Sequence, residues 1–265
     1  MFFFIVEPLV EGFFVAFYMN QKDLDHYENA RLDYREKRMI FSSAIRELEE
    51  PLFSLLTQLR ERLDQDIYGY LIGDHFSGHL PSIAMAIAIN KLRIRESRSS
   101  MPLFFVIGTG NPNYARSMEV QLQQKLTRIK KEHQSKRALL VTDVIDEGST
   151  IRQFHDVLTR NEIAFDVATV QAMHRLYKPG SMEFSEEYRD VFQGVEAVFF
   201  AGDEGLVLPT IYGDYQSIGI RRGVSSKFAV EKYPLVPELR ESAKHALFDT
   251  HLLADRLVER FAKVS

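Results

Sequence analysis

The sequence predicts an α/β protein built on a parallel sheet with helices on both faces. Five short apolar runs alternate with segments of helical periodicity along the middle of the chain. Strands that alternate with helices are typical of parallel sheets whose two faces are both covered. In such folds, ligands bind at the carboxyl edge of the sheet, where strands end and helices begin.

Each strand and helix is predicted from a local feature of the sequence. Strands are predicted where apolar, β-branched and aromatic residues cluster between turn residues, at residues 67–73, 102–108, 138–144, 164–173 and 195–202. Helices are predicted where apolar residues recur at helical spacing, at residues 22–66, 80–92, 115–133, 149–161 and 237–262. Pro51 falls inside the first of these helices and predicts a break or a new first turn.

The N-terminus, MFFFIVEPLVEGFFVAFYM, is very apolar. Glu7, Pro8, Glu11 and Gly12 interrupt it, and no Lys or Arg precedes it. A signal peptide has a positive start, and a membrane span has about 20 uninterrupted apolar residues. We therefore expect buried strands or a hairpin that turns near residues 8–12, and no membrane segment. The alternative is an exposed patch for a partner subunit, which is compatible with a homodimer.

Composition narrows the class of protein. The 265 residues include no cysteine, which excludes disulfides, thiolate metal sites and a cysteine nucleophile. The formal net charge of −4 gives no general reason to expect nucleic-acid binding. In the absence of an export signal, we expect a cytoplasmic protein.

The stretch ALLVTDVIDEGST, residues 138–150, carries the clearest chemistry. A buried strand leads into the carboxylates of Asp143 and Asp146, and then into the small residues 148–150. Free amides and the dipole at the start of the following helix favour a phosphate there. The two carboxylates fit sugar hydroxyls, a bound Mg²⁺, or a protonated leaving or attacking group. The combination suggests a sugar phosphate ligand.

LLVTDVIDEGST resembles the phosphoribosyl-pyrophosphate loop of the type I phosphoribosyltransferases. The resemblance implies a phosphoribosyltransferase-like core over residues 45–205, with extensions over residues 1–44 and 206–265. It implies that Asp143 contacts ribose hydroxyls and Mg²⁺ and that Asp146 acts as a general base, so that both are catalytic residues. It also implies that the 5′-phosphate is bound by Glu147, Gly148, Ser149 and Thr150.

A second segment, YLIGDHFSGHLPSIAMAIA (residues 70–88), is similar to the family's pyrophosphate loop and following helix. The resemblance implies that pyrophosphate lies against His75, Ser77 and Gly78. In family members that salvage purines, the base lies after the last strand of the core. There, the segment FFAGDEG (residues 199–205) offers Phe200 for stacking and Asp203 as an acceptor.

Three residues depart from the family pattern: Thr142 replaces an acid, Phe76 replaces a cation, and Glu147 replaces a threonine. Two unit charges about 4 Å apart repel by about 4 kcal/mol at an effective dielectric near 20. That exceeds the roughly 1 kcal/mol of one hydrogen bond. Three hypotheses follow. The first is a Mg²⁺-dependent phosphoribosyltransferase, and the second is a non-catalytic protein that binds a sugar phosphate or nucleotide. The third is an enzyme for another transfer or hydrolytic reaction on a nucleotide.

Overall fold

The structure of the chain is a computed structural model. It describes residues 3–8, 14–19, 40, 43–74, 79–106, 120, 123, 136–145, 148–172, 192, 195–201 and 237–264. The elements are β1 (Phe3–Pro8), β2 (Phe14–Met19), α1 (Ser43–Glu47), α2 (Glu49–Asp64), β3 (Tyr68–Asp74), α3 (His79–Arg95), β4 (Leu103–Val106), β5 (Arg137–Ile145), α4 (Ser149–Arg160), β6 (Phe165–Ala172), β7 (Val195–Phe200) and α5 (Pro237–Val264).

These elements confirm the five predicted strands of the middle segment and the helices predicted near residues 80–92, 149–161 and 237–262. Pro51 lies in the first turn of α2, where its missing amide hydrogen breaks no helical bond. The helix predicted at 115–133 lies outside the described residues, apart from two positions that are helical.

The chain divides into two compact units. The first comprises Met1–Glu49, Ala84–Pro102 and Pro209–Ser265, and the second comprises Glu50–Ile83 and Leu103–Leu208. The core that the sequence predicts over residues 45–205 includes segments of both units, because residues 45–49 and 84–102 belong to the first unit.

The second unit contains a five-stranded sheet in the order β4-β3-β5-β6-β7. Every neighbouring pair in it is parallel. The central strand β5 is buried continuously from residue 138 to residue 143, which is typical of a parallel strand covered on both faces. The protein is therefore an α/β protein with a parallel sheet, as the sequence predicts.

Helices of the second unit lie on both faces of this sheet. On one face, Phe154 of α4 belongs to a buried cluster with Leu140 of β5 and Val167 of β6. On the other face, Arg62 of α2 donates from Nη1 to Asp166 Oδ2 at 2.8 Å. Asp166 precedes Val167 along β6, and successive strand residues point to opposite faces. Helices α4 and α2 are therefore separated by the sheet.

Asp166 organises the amino edge of the sheet. Its carboxylate accepts hydrogen bonds from Arg62 Nη1 at 2.8 Å, Tyr68 Oη at 2.7 Å and Arg137 Nη2 at 2.8 Å. The backbone amide of Ala197 lies 3.3 Å from the same group. Burial, followed by the bond to Asp166, raises the pKa of the Tyr68 phenol, so this hydroxyl stays a neutral donor.

A bulge in β3 directs its two tyrosines to opposite faces of the sheet. Tyr68 pairs with Arg137 and Tyr70 pairs with Ala138, so β3 has one extra residue at this point. Tyr68 can then reach Asp166, while Tyr70 joins the cluster beneath α4. Burial raises the pKa of Tyr70 as well.

In the first unit, ion pairs connect α5 with neighbouring helices. Glu49 accepts hydrogen bonds from Arg256 Nη1 at 3.0 Å and Arg260 Nη1 at 3.4 Å, and Lys91 pairs with Asp255. The apolar stripe of α5 has helical spacing and consists of Leu253, Ala254, Leu257, Val258 and Phe261, all buried.

The N-terminal strands form a separate two-stranded antiparallel sheet. Phe3 pairs with Met19, and Pro8 pairs with Phe14. This pairing confirms the predicted hairpin, whose connecting residues 9–13 lie outside the described residues. Among the helices that the structure describes, none has the length and apolar character needed to cross a membrane.

Candidate functional site

The order of the strands reverses between β3 and β5. From β3 the chain crosses to β4 on one side, and from β5 it crosses to β6 on the other. At such a reversal, a crevice opens outside the carboxyl ends of the two strands, and ligands bind there. The two loops indicated by the sequence start at this point, because residues 75–78 follow β3 and residues 146–147 follow β5.

The two strands part before β5 ends. Their last paired residues are Gly73 and Val141. Beyond this pair, β5 continues to Ile145 beside β6, beginning with Thr142 opposite Thr169. Four residues of β5 therefore extend past its pairing with β3, which places them at the crevice.

Asp143 lies within this extension and is fully buried, with an exposed fraction of 0%. Its backbone carbonyl lies 3.3 Å from the Thr169 hydroxyl, which also lies 2.8 Å from the Gln171 carbonyl. The single hydroxyl proton is shared between these acceptors. Since the Asp143 side chain is fully covered, a ligand contacts its carboxylate only after neighbouring groups move.

Gly148 directly precedes α4 in the left-handed conformation, with φ 69° and ψ 4°. Its carbonyl accepts the Arg152 amide at 2.8 Å, which closes the first turn of the helix. Glycine enters this conformation without the steric penalty that a Cβ atom brings. The first amides of α4 have no acceptor within the helix, so they are available to a ligand at the start of α4.

Replacing Gly148 by valine is expected to lower the free energy of unfolding by about 1 to 3 kcal/mol, because a β-branched residue is strained at positive φ. Gly148→Asn is the matched control, since asparagine tolerates this conformation better. Urea unfolding of both variants tests the expectation. Equal losses in the two variants would contradict it, because side-chain bulk rather than backbone strain would then be responsible.

Other predicted site residues are placed only in part. His75, Ser77, Gly78, Asp146, Glu147 and Asp203 lie outside the described residues, as does Phe76. Ser149 and Thr150 form the first turn of α4, and their side chains are not among the described groups. The structure thus brings together Asp143, Gly148 and the start of α4, beside the end of β3.

Phe200 is the last residue of β7 and is half-buried. Gln58 Nε2 of α2 donates to its carbonyl at 2.9 Å. Nearby, the Arg62 guanidinium lies 5.7 Å from the centroid of the Phe199 ring, within the range of a cation–π contact. Since β6 separates β7 from β5, Phe200 lies at the same edge as Asp143, about 10 Å away by two strand spacings.

Two hydroxyls at this edge were not predicted from the sequence. Ser82 Oγ of α3 donates to the Val141 carbonyl at 3.0 Å, and Thr169 holds the Asp143 carbonyl from the other side. Both side chains are fully buried. A serine or threonine within an apolar run of the sequence could have indicated both residues, because a buried hydroxyl requires a hydrogen-bond partner.

Among the described residues, no group of three or more His, Asp or Glu side chains is placed to hold a metal ion. Mg²⁺, however, is commonly bound by one or two carboxylates together with substrate phosphates and water. Asp143 offers one carboxylate for this mode of binding, but this carboxylate is fully buried. A site made by protein ligands alone is not found in this part of the chain.

No family model matches the sequence. No curated protein matches it either. Among solved structures, the chain is similar to a maleylacetate reductase from Agrobacterium tumefaciens at 13% identity and a TM-score of 0.32. The match covers 78% of this chain and only 60% of the length of the reductase. A similarity this weak supports no inference about activity.

Proposed function

We propose that this protein binds phosphoribosyl pyrophosphate or a nucleotide at the carboxyl edge of the sheet, and transfers the phosphoribosyl group to a nitrogen base. One observation carries the proposal: the strands that precede the two predicted phosphate loops, β3 and β5, are neighbours at the reversal of strand order. A ligand with phosphate at both ends can therefore lie across the two loops. The left-handed turn at Gly148 supports phosphate binding at the second loop.

In this proposal, each loop binds one end of the ligand. The loop after β3, with His75, Ser77 and Gly78, binds pyrophosphate. The turn before α4 binds the 5′-phosphate through backbone amides and the hydroxyls of Ser149 and Thr150. Asp143 lies between them, at the ribose. Phe200 and Asp203, after β7, receive the base.

The reaction is a substitution at the ribose C1 atom. A ring nitrogen of the base forms the new bond to C1, the bond from C1 to pyrophosphate breaks, and the nitrogen loses a proton to Asp146. Positive charge develops on the ribose in the transition state, so a carboxylate beside it stabilises the transition state more than the bound substrate. Orientation of base and ribose supplies the remaining acceleration.

Magnesium ion, bound with the substrate, would neutralise charge on the pyrophosphate and be held on the protein side by Asp143. The chain's own residues perform the other tasks: they position the ribose, accept the proton and exclude water. Because Asp143 is fully buried, groups that cover its carboxylate must move when the ligand binds.

The second candidate is a non-catalytic protein that binds a sugar phosphate or nucleotide at the same edge. Burial of Asp143 favours it, as do the departures at Thr142, Phe76 and Glu147. In this case, ligand binds without release of pyrophosphate. Turnover with any base would contradict this second candidate.

Calorimetric titration with phosphoribosyl pyrophosphate, with and without Mg²⁺, tests the proposed ligand on the wild-type protein and on Glu147→Thr. We expect Mg²⁺-dependent binding by both proteins. Removing the carboxylate next to the 5′-phosphate should tighten binding by about tenfold or more. Binding by Glu147→Thr alone favours the second candidate, because the natural ligand then differs. A base screen for released pyrophosphate follows, and absence of binding by both proteins contradicts the proposal.

A further inference from the structure

Ser82 connects α3 to β5 at the position where β3 and β5 separate. Its hydroxyl donates to the backbone carbonyl of Val141 at 3.0 Å. Val141 is the last residue of β5 that pairs with β3. The serine is fully buried, so water does not compete for this bond.

This bond joins the two elements that border the predicted phosphate loops in the sequence. Helix α3 begins at His79, directly after the loop of residues 75–78, and Ser82 lies in its first turns. Val141 lies two residues before Asp143 on the strand that leads to the second loop. On the β6 side, the Thr169 hydroxyl holds the Asp143 carbonyl. The extension of β5 is therefore held from both sides, and only Ser82 belongs to the element that follows the first loop.

We propose that Ser82 is a positioning residue that fixes the distance between the start of α3, which follows the first predicted loop, and the end of β5, which precedes the second. The inference rests on the proposed function, in which one ligand spans both loops. A ligand that spans two sites gains affinity only when the sites are held at the correct separation. A ligand that occupies one loop does not depend on that separation.

The test compares three ligands on the wild-type protein and on Ser82→Ala by calorimetric titration in Mg²⁺. Phosphoribosyl pyrophosphate spans both loops, whereas ribose 5-phosphate and inorganic pyrophosphate each occupy one. We expect Ser82→Ala to weaken phosphoribosyl pyrophosphate by about five- to tenfold, the effect of one buried hydrogen bond. The two smaller ligands should change by less than about twofold. Equal changes for all three ligands, or no change, would overturn the inference.

Asn90→Ala is the matched control within the same helix. Asn90 is buried and exchanges two hydrogen bonds with the backbone of Met101, at 2.9 Å and 2.6 Å, without contact to β5 in either bond. Loss of the Asn90 side chain should destabilise α3 without removing the bond from Ser82 to the Val141 carbonyl. If Asn90→Ala discriminates between the three ligands as Ser82→Ala does, general destabilisation of the helix explains the result and the inference is wrong.

Amide hydrogen exchange of the unliganded protein tests the role of Ser82 independently of the proposed function. In Ser82→Ala, the amides of residues 83–86 of α3 and of residues 142–145 of β5 should exchange faster together, by about five- to tenfold. Acceleration of one segment alone, or of neither, overturns the coupling whether or not the protein binds the ligand. Failure of the wild-type protein to bind phosphoribosyl pyrophosphate contradicts the proposed function, while the exchange result still decides the role of Ser82.

Discussion

Replacing Asp166 by alanine is expected to lower the free energy of unfolding by about 3 to 5 kcal/mol, which is typical when one partner of a buried ion pair is removed. The carboxylate is 0% exposed and lies between Arg62 and Arg137, whose side chains are only 23% and 17% exposed. Without it, two guanidinium groups and the Tyr68 hydroxyl lose a common acceptor. The cost of their desolvation is then compensated only in part, for example by the bond from Arg137 Nη2 to the Phe165 carbonyl at 3.0 Å.

Two further variants define the origin of this loss. Asp166→Asn keeps the shape of the side chain and removes its charge, so we expect a loss smaller than that of Asp166→Ala. Asp156→Ala removes a carboxylate of α4 whose side chain is 60% exposed and whose Oδ1 atom lies 3.5 Å from His155 Nδ1. Such a surface pair contributes about 0 to 1 kcal/mol. Guanidinium unfolding measures all three, and a loss from Asp166→Ala no larger than that from Asp156→Ala would contradict the prediction.

The Asp166 cluster shows where prediction from sequence ends. The segment FDVATVQA predicts a strand correctly, because β-branched and aromatic residues dominate it. The partners of Asp166 are 104, 98 and 29 residues away along the chain, so no local pattern indicates them. The bulge between Tyr68 and Tyr70 is also not indicated by the local sequence. Residues two apart in a regular strand share a face, so the sequence predicts that these two tyrosines lie on the same face.

More of the candidate site than of the core contacts could be predicted from the sequence. Strand, acidic loop, small residues and helix follow one another between residues 138 and 160, so local sequence was enough to indicate Gly148 and the start of α4. Ser82 and Thr169 were missed because each acts on a carbonyl of another element. The grouping of residues 84–102 with both ends of the chain also depends on contacts distant in sequence, as the pair of Lys91 and Asp255 spans 164 positions.

Replacing Asp143 by asparagine is expected to weaken Mg²⁺-dependent binding of phosphoribosyl pyrophosphate by about 100-fold and to abolish turnover. Hydrogen bonds to a charged group contribute about 1.5 to 3 kcal/mol, which corresponds to roughly 10- to 150-fold in affinity. Asparagine has the shape of aspartate and an amide oxygen, but it lacks the charge that, in the proposed function, binds Mg²⁺ and stabilises a cationic ribose.

Asp166→Asn is the matched control for this experiment. Both aspartates are 0% exposed and belong to adjacent strands of one sheet, at its two opposite edges. We expect Asp166→Asn to lower stability and leave affinity for phosphoribosyl pyrophosphate within about twofold, because its carboxylate lies at the amino edge, away from the crevice. Asp143→Asn should instead lose affinity while unfolding measurements show that the protein remains folded. Wild-type affinity in folded Asp143→Asn would show that this carboxylate does not hold the ligand, and the role assigned to the end of β5 would be wrong.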